Sequence, residues 1–281
     1  MNSLIQQQIL SFRTETFRLN QRVRSVEEAR KFVEARGFIM FWPIKGVIMP
    51  SLWAAVAGDR PVPNAHDDPG HVTWGWKDAA LGKQWWYYAK VLRKKATLIA
   101  LRLAPYFYAL SENFGSPEED YLDQYRHGLL TLEAKTVYET LLREGPLSTV
   151  ALRKATNLTA ATATSPFNRA LDTLQADFKI LPVGVAEAGA WRYAFVYDCV
   201  HRHYPALPEQ ARAIGISEAQ RVLLEHYICS VGAAEERDVR KVFQWAPADI
   251  TQALKALVET DVIRPVQVAG QKSSWFAVKG M

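Results

Sequence analysis

The second half of this chain carries one pattern twice, and that repetition limits the fold more than any other feature. Residues 168–183 (NRALDTLQADFKILPV) align with residues 251–266 (TQALKALVETDVIRPV) without a gap. Ala170/Ala253, Leu171/Leu254, Leu174/Leu257, Ile180/Ile263, Pro182/Pro265 and Val183/Val266 coincide. Upstream, Gly145/Gly232, Arg153/Arg240 and Lys154/Lys241 correspond if the second copy is slightly shorter. Two copies are too few for a solenoid, where three or more units share one core. They read as two similar small domains.

Each copy has the same expected elements. In the first, apolar residues at helical spacing predict a helix over 132–143 that Gly145-Pro146 stops. Ser148 or Thr149 can cap a short helix to about 155, because a side-chain oxygen accepts from an orphan N–H there. Ser165-Pro166 opens a third helix with proline at its first position, where no donor is lost. Strand-like stretches follow at 178–185 and 191–197, with a turn at 188–190. In the second copy the helices are expected over 218–230, 235–243 and 247–259, and the strands over 262–268 and 275–278 around a Gly270-Gln271 turn. Three helices followed by a hairpin is the winged-helix order, a helix-turn-helix with a wing. In helix-turn-helix proteins the later helix enters the major groove. The expected fold class is therefore mainly α with small β-hairpins (α+β), built on tandem winged-helix domains.

The first half is less regular. Ser25 and Glu28 make a capping box for a helix over 26–36, which Gly37 ends. Residues 38–44 read as a buried strand and 50–57 as a short helix. Residues 58–70, with Pro61, Pro63, Asn64 and Pro69, read as a loop. A helix is expected over 84–95 and a strand over 96–103. Ser116-Pro117 opens another helix, and 201–208 reads as a linker. The expected division is an aromatic-rich, winged-helix-like domain over 1–128, then winged helices over 129–204 and 205–281.

Composition narrows the function. Of 281 residues, 49% are hydrophobic and 22% charged, which excludes disorder across the chain. No apolar run reaches the length of a spanning helix, and the start has neither a basic region nor a long apolar one, so no secretory signal is expected. Cys199 and Cys229 cannot form a disulfide framework, which makes a reducing cytoplasm the expected compartment. The net charge of +5 permits nucleic-acid binding without demanding it. Its distribution is more informative: residues 81–102 hold Lys83, Lys90, Arg93, Lys94, Lys95 and Arg102 and no acid. That stretch reads either as a phosphate footprint or as a solvated helix face.

The runs Trp74-Gly75-Trp76-Lys77-Asp78, Trp86-Tyr87-Tyr88-Ala89-Lys90-Val91-Leu92-Arg93 and Pro105-Tyr106-Phe107-Tyr108, with Ala190-Trp191-Arg192-Tyr193 in the first wing, are unusual. Together with the order of the helices and hairpins, they resemble the tandem winged-helix family of the bacterial DNA glycosylases AlkZ and YcaQ, over about residues 22–278. The resemblance implies duplex DNA in a curved channel and hydrolysis of the bond between a damaged purine, alkylated or crosslinked, and its sugar. The chain is short for that family, which implies a reduced or missing peripheral element. The family's catalytic Gln-x-Gln or Gln-x-Asp does not carry over. In the matching stretch, Gly37 to Pro43, Met40 stands where the first Gln belongs and Trp42 where the second polar residue belongs. Methionine is a weak acceptor and tryptophan only a donor, so neither can position or deprotonate a water.

The remaining candidates have two readings each. Asn168 and Arg169 in the first copy, and Gln252 and Lys255 in the second, suit base edges and phosphates, or are a wet helix face. Arg153-Lys154, Arg240-Lys241, Arg192 and Lys272 read as backbone clamps or as surface ends of elements. The aromatics Trp42, Trp53, Trp74, Trp76, Tyr87 and Tyr88 could line a pocket or stack an unstacked base, or could form a core. Asp78 could activate water in place of the lost pair, or serve as a cap or ion-pair partner. The groups His66/Asp67/Asp68/His71 and Cys199/His201/His203 lack established ligand spacing. Phosphate-loop, dinucleotide, H-E-x-x-H and G-x-S-x-G patterns are absent, so no cofactor or metal is expected. Three functions follow: a binder of duplex DNA, intact or damaged, that has lost the usual pair; a divergent glycosylase using Asp78; or a ligand-sensing or partner-binding protein with an aromatic pocket.

Overall fold

The computed structural model describes residues 2–65, 67–268 and 273–281. Among these, helix α1 (Asn2–Thr16) precedes three units that share one order of elements. The first is α2 (Val26–Arg36), β1 (Phe38–Met40), α3 (Leu52–Ala57), α4 (Val72–Ala80), β2 (Tyr87–Ala89) and β3 (Thr97–Ile99). Helices α5 (Ala104–Ala109) and α6 (Asp120–Arg126) lead to the second: α7 (Leu132–Glu144), β4 (Leu147–Ser148), α8 (Thr149–Ala155), α9 (Thr164–Ala176), β5 (Ile180–Ala186) and β6 (Ala194–Cys199). Helices α10 (Val200–His203) and α11 (Leu207–Arg212) lead to the third: α12 (Ile216–Val231), β7 (Ala233–Glu235), α13 (Glu236–Phe243), α14 (Pro247–Glu259), β8 (Ile263–Val266) and β9 (Trp275–Val278). Each unit closes a three-stranded antiparallel sheet whose last strand lies in the middle, in the orders β1-β3-β2, β4-β6-β5 and β7-β9-β8. The fold is thus mainly α with small antiparallel sheets. The first unit has the same order of elements as the other two. No helix among the described residues is long and apolar enough to cross a membrane.

Local chemistry sets the element ends. Ser25 accepts from the Glu28 N–H at 3.2 Å, Ser51 from Ala54 at 3.1 Å and Ser148 from Ala151 at 3.2 Å, each satisfying a donor that its helix leaves free. Gly37 closes α2 at φ 80°, and a Cβ there would meet the Leu103 side chain at 2.6 Å, so both backbone and space require glycine. Pro247 begins α14 at the position where its missing N–H costs nothing. Helix α9 differs from expectation: it starts at Thr164, so Pro166 lies inside the first turn, where the N–H would still lack a partner.

Other expectations are corrected. The helix over 84–95 is strand β2 followed by a loop with a short 3-10 turn, because burial of Trp86, Tyr87 and Tyr88 favours an extended backbone here. The strand over 38–44 ends at Met40 and the chain turns through residues 44–47. The expected strand over 96–103 is three residues long and gives way to a 3-10 turn over Leu101–Leu103. The linker over 201–208 contains most of α10 and the start of α11. The Gly270-Gln271 turn lies outside the described residues.

The first sheet is buried on both faces. Phe38, Met40, Tyr87 and Ile99 pack with Leu224, Ile228 and Leu254 of the third unit. Ile39, Phe41, Leu98 and Tyr88 pack with Phe32, Val33 and Leu52 of their own unit. This explains why 38–41 is apolar without alternation. Phe38 meets Phe107 edge-on at 5.2 Å, and its truncation to Ala is expected to cost about 3–5 kcal/mol. The second unit has its own core around Tyr138, Leu141, Phe167, Leu174 and Ile180. Arg13 of α1 donates to the carbonyls of Val231 at 2.9 Å and Ala233 at 2.7 Å, capping the end of α12.

Candidate nucleic-acid interface

The β2–β3 hairpin carries the basic stretch. Between Ala89 and Thr97, which pair across the ladder, the loop folds on itself. Thr97 Oγ1 accepts from the Leu92 N–H at 3.2 Å and donates to the Lys95 carbonyl at 2.8 Å. Arg93 and Lys94 both adopt left-handed backbone, φ 55° and 54°. That conformation is uncommon outside glycine and persists only where the surroundings impose it. Here neighbouring elements hold the loop. Lys90 N–H donates to Gln175 Oε1 at 3.2 Å, Lys94 Nζ to Thr173 Oγ1 at 2.9 Å, and Arg93 to the Lys241 carbonyl at 2.6 Å. The hairpin loop is thereby tied to α9 of the second unit and α13 of the third.

This docking creates a cleft of about 500 Å³ lined by Trp42, Pro43, Ile44, Lys45, Lys90, Lys94, Lys95, Ala96 and Asp172. Four lysines face one carboxylate, and that carboxylate is bound to Lys90 at 2.6 Å. A second cavity of about 500 Å³ shares Lys90 and Asp172 and continues along Thr149, Asn168, Tyr193, Phe195 and Tyr197. The Lys90–Asp172 pair stands between the two. An anion entering the cleft meets an excess of positive charge and one exposed aromatic ring.

Met40 and Trp42 diverge in placement. Met40 is buried in β1, while Trp42 is 37% exposed on the cleft rim. Trp42 packs on Phe41 at 5.1 Å and Trp74 at 5.8 Å, and Trp74 leads on to His71 at 5.8 Å. Neither residue can accept a proton. The other expected pocket aromatics lie deeper. Trp53, Tyr87 and Tyr88 are buried core residues, and Trp76 is half-buried against the first unit's core.

Asp78 is engaged. Its Oδ1 accepts from the buried ammonium of Lys77 and from the Tyr193 hydroxyl at 2.9 Å. Lys77 also donates to Tyr193 at 2.8 Å and lies 4.3 Å from the Phe195 ring centroid. Burial lowers the Lys77 pKa, and burial followed by the bond to Asp78 raises that of Tyr193.

The remaining basic candidates are spread out. Arg153 braces its own unit, donating to the Leu158 carbonyl and to Thr164 Oγ1 while its guanidinium stacks over Phe167. Arg169 donates to Ser165, Arg192 pairs with Glu187 at 2.6 Å, Lys241 pairs with Asp238 at 3.6 Å and Lys255 pairs with Glu259 at 3.7 Å. Lys154, Asn168, Arg240 and Gln252 are exposed. Lys272 lies outside the described residues. Asp68 accepts from Arg60 at 2.6 Å and from the Gly70 N–H, and His71 Nε2 contacts the Pro63 carbonyl; His66 is outside the described residues. Sequence reasoning missed Lys45 and Lys77. For Lys77 there was a signal: a lone lysine flanked by Trp74, Trp76 and Ala79-Ala80 in a short helix.

Three units of helices, each closed by a small antiparallel sheet, place the chain in a helix-rich class with known members. Residues 23–244 match the family described as AlkZ related, and the chain belongs to that family. The fold is similar to that of the Streptomyces sahachiroi DNA glycosylase AlkZ, with a TM-score of 0.60 at 14% identity. That likeness covers 97% of this chain and 69% of the other. No curated protein matches the sequence.

Proposed function

We propose that this chain binds duplex DNA across the lysine-rimmed cleft and recognises damaged or distorted sites without excising a base through the family's usual pair. In this reading the units within 1–128, 129–204 and 205–281 act as winged helices, and the setting is the bacterial cytoplasm, with the protein on the nucleoid. The observation that carries the reading is the cleft at Trp42. Where the family pattern calls for a water-positioning polar residue, the rim offers Lys45, Lys90, Lys94 and Lys95 and one exposed indole. Lysines neutralise phosphates, and an indole stacks an unstacked base. In this reading Asp78 serves as a tie between units, its Oδ1 held by Lys77 and Tyr193.

Fluorescence anisotropy with labelled duplexes, one intact and one carrying an abasic-site analogue, at two salt concentrations tests this. Salt-sensitive binding that is tighter to the analogue is expected. Alkylated duplex incubated with the protein should then show no alkali-labile sites. Absence of binding to both duplexes at low salt would sink the DNA reading. Efficient excision that is lost in Asp78→Asn would replace it with the divergent-glycosylase reading.

A further inference from the structure

The β5–β6 hairpin ends in a side chain that the cleft does not use. Trp191 is 87% exposed, more than any other large apolar residue among those described. Leaving an indole in water forgoes the stabilisation that burying it would supply, yet the structure fixes its mount. Gly189 turns the hairpin at φ 77° and sets it against α8, with an added Cβ 3.5 Å from Val150. Arg192 takes left-handed backbone at φ 50°, its N–H donating to the Gly189 carbonyl at 3.1 Å and its guanidinium pairing with Glu187. The next residue, Tyr193, is anchored to Lys77 and Asp78. Trp191 therefore projects from a turn braced on both sides.

The surroundings favour a polyanion. Glu187, the acid at the tip, is paired with Arg192. Lys154 lies one turn beyond Val150 on the same face of α8, and Asn168 lines the adjoining cavity. Val150 and Val185 add only partial apolar exposure, 47% and 40%. Apolar wedges inserted between base pairs are a recurrent device where proteins open or kink DNA.

We propose that Trp191 is a wedge that enters the duplex where stacking is already broken, with Lys154 holding the adjacent backbone. This rests on the DNA-binding reading above. It adds a specific consequence: part of the discrimination for gapped stacking resides in Trp191, outside the cleft that holds Trp42, while general affinity resides in the lysines.

The test is anisotropy with the full chain, as wild type, Trp191→Ala and Trp191→Phe, on an intact duplex and on one with a central abasic analogue. Stacking contacts of this kind are worth about 1–3 kcal/mol. Trp191→Ala should therefore weaken binding to the abasic duplex about 5-fold or more and to the intact duplex less than about 2-fold. The salt slope should be unchanged, since an indole releases no counterion. Trp191→Phe should retain most of the preference. Equal loss on both duplexes, or no loss on either, overturns the wedge while leaving DNA binding standing. Failure of the wild type to bind either duplex overturns both. Self-association abolished by Trp191→Ala, with DNA affinity unaltered, would assign the indole to a protein contact instead.

Discussion

The Lys77 ammonium donates to the Tyr193 hydroxyl at 2.8 Å, and this bond joins α4 of the first unit to the β5–β6 hairpin of the second. Asp78 accepts from both groups, so the three side chains form a closed polar knot. Around it stand the rings of Tyr88, Tyr193 and Phe195. The lysine is 4% exposed and the carboxylate 27%, so one charge is buried and its partner keeps some water.

Lys77→Ala should destabilise the protein toward the low end of the range of about 3–5 kcal/mol for breaking a buried pair, because Asp78 can be partly rehydrated. The melting temperature should fall by about 5–10 °C. Lys77→Met should cost less, since it refills the volume that Ala would leave empty. Calorimetry of both variants checks this, and equal losses would be contrary to it.

The same lysine sets a pH dependence. Burial lowers its folded pKa below 10.5, so in the window between the two values the unfolded chain holds the proton more tightly. The destabilisation is present below the folded pKa and is relieved as pH rises through that window. Wild type should therefore gain stability relative to Lys77→Met as pH rises toward 10.5. Parallel pH profiles for the two proteins would contradict the burial argument.

His226 governs the acid side. Burial, with Arg102 and Arg36 nearby, pushes its pKa down to about 4 from 6.5. The unfolded histidine takes up a proton first, so stability is lost as pH falls from 6.5 toward 4. His226→Gln should flatten this limb: the thermal unfolding midpoint of the variant should drop less than that of wild type between pH 7 and 4.5. A variant that loses as much as wild type would remove His226 from the account.

The cleft lysines should be visible in the salt dependence of DNA binding. Each phosphate neutralised contributes about 0.9 to the slope of log K against log salt. Lys94→Ala with Lys95→Ala should therefore lower the slope by about 2. An unchanged slope would move the DNA path elsewhere on the surface.

Asp172 should act in the opposite direction. It is the acid in the cleft and holds Lys90 at 2.6 Å. Asp172→Asn frees that ammonium and removes a like charge from the phosphate path, so affinity should rise about 3- to 10-fold at low salt and the slope by about 1. Weaker binding in the same anisotropy assay would mean that the pair orients Lys90 and does not mask it.

Much of the scaffold was legible in the residues. The repeat at 168–183 and 251–266 foretold matching helices and hairpins, and α14 and β9 begin and end where the sequence put them. Ser25, Gly37, Ser148 and Pro247 marked element ends because capping is a local interaction. The basic residues at 90, 93, 94 and 95 misled: their spacing resembles a helix face. The buried aromatics before them instead force a strand, and Arg93 and Lys94 turn left-handed against α9 and α13.

The sequence alone determined the helix-rich class and the repeated units, because periodicity and caps act over a few positions. Tertiary structure decided that the first unit carries a buried strand at Tyr87–Ala89 where a helix was expected. It also decided that Lys45, Lys90, Lys94 and Lys95 meet around Trp42, and that Lys77 is buried against Tyr193. Those contacts join segments from different units. They follow from how the sheets and helices pack, which no local pattern encodes.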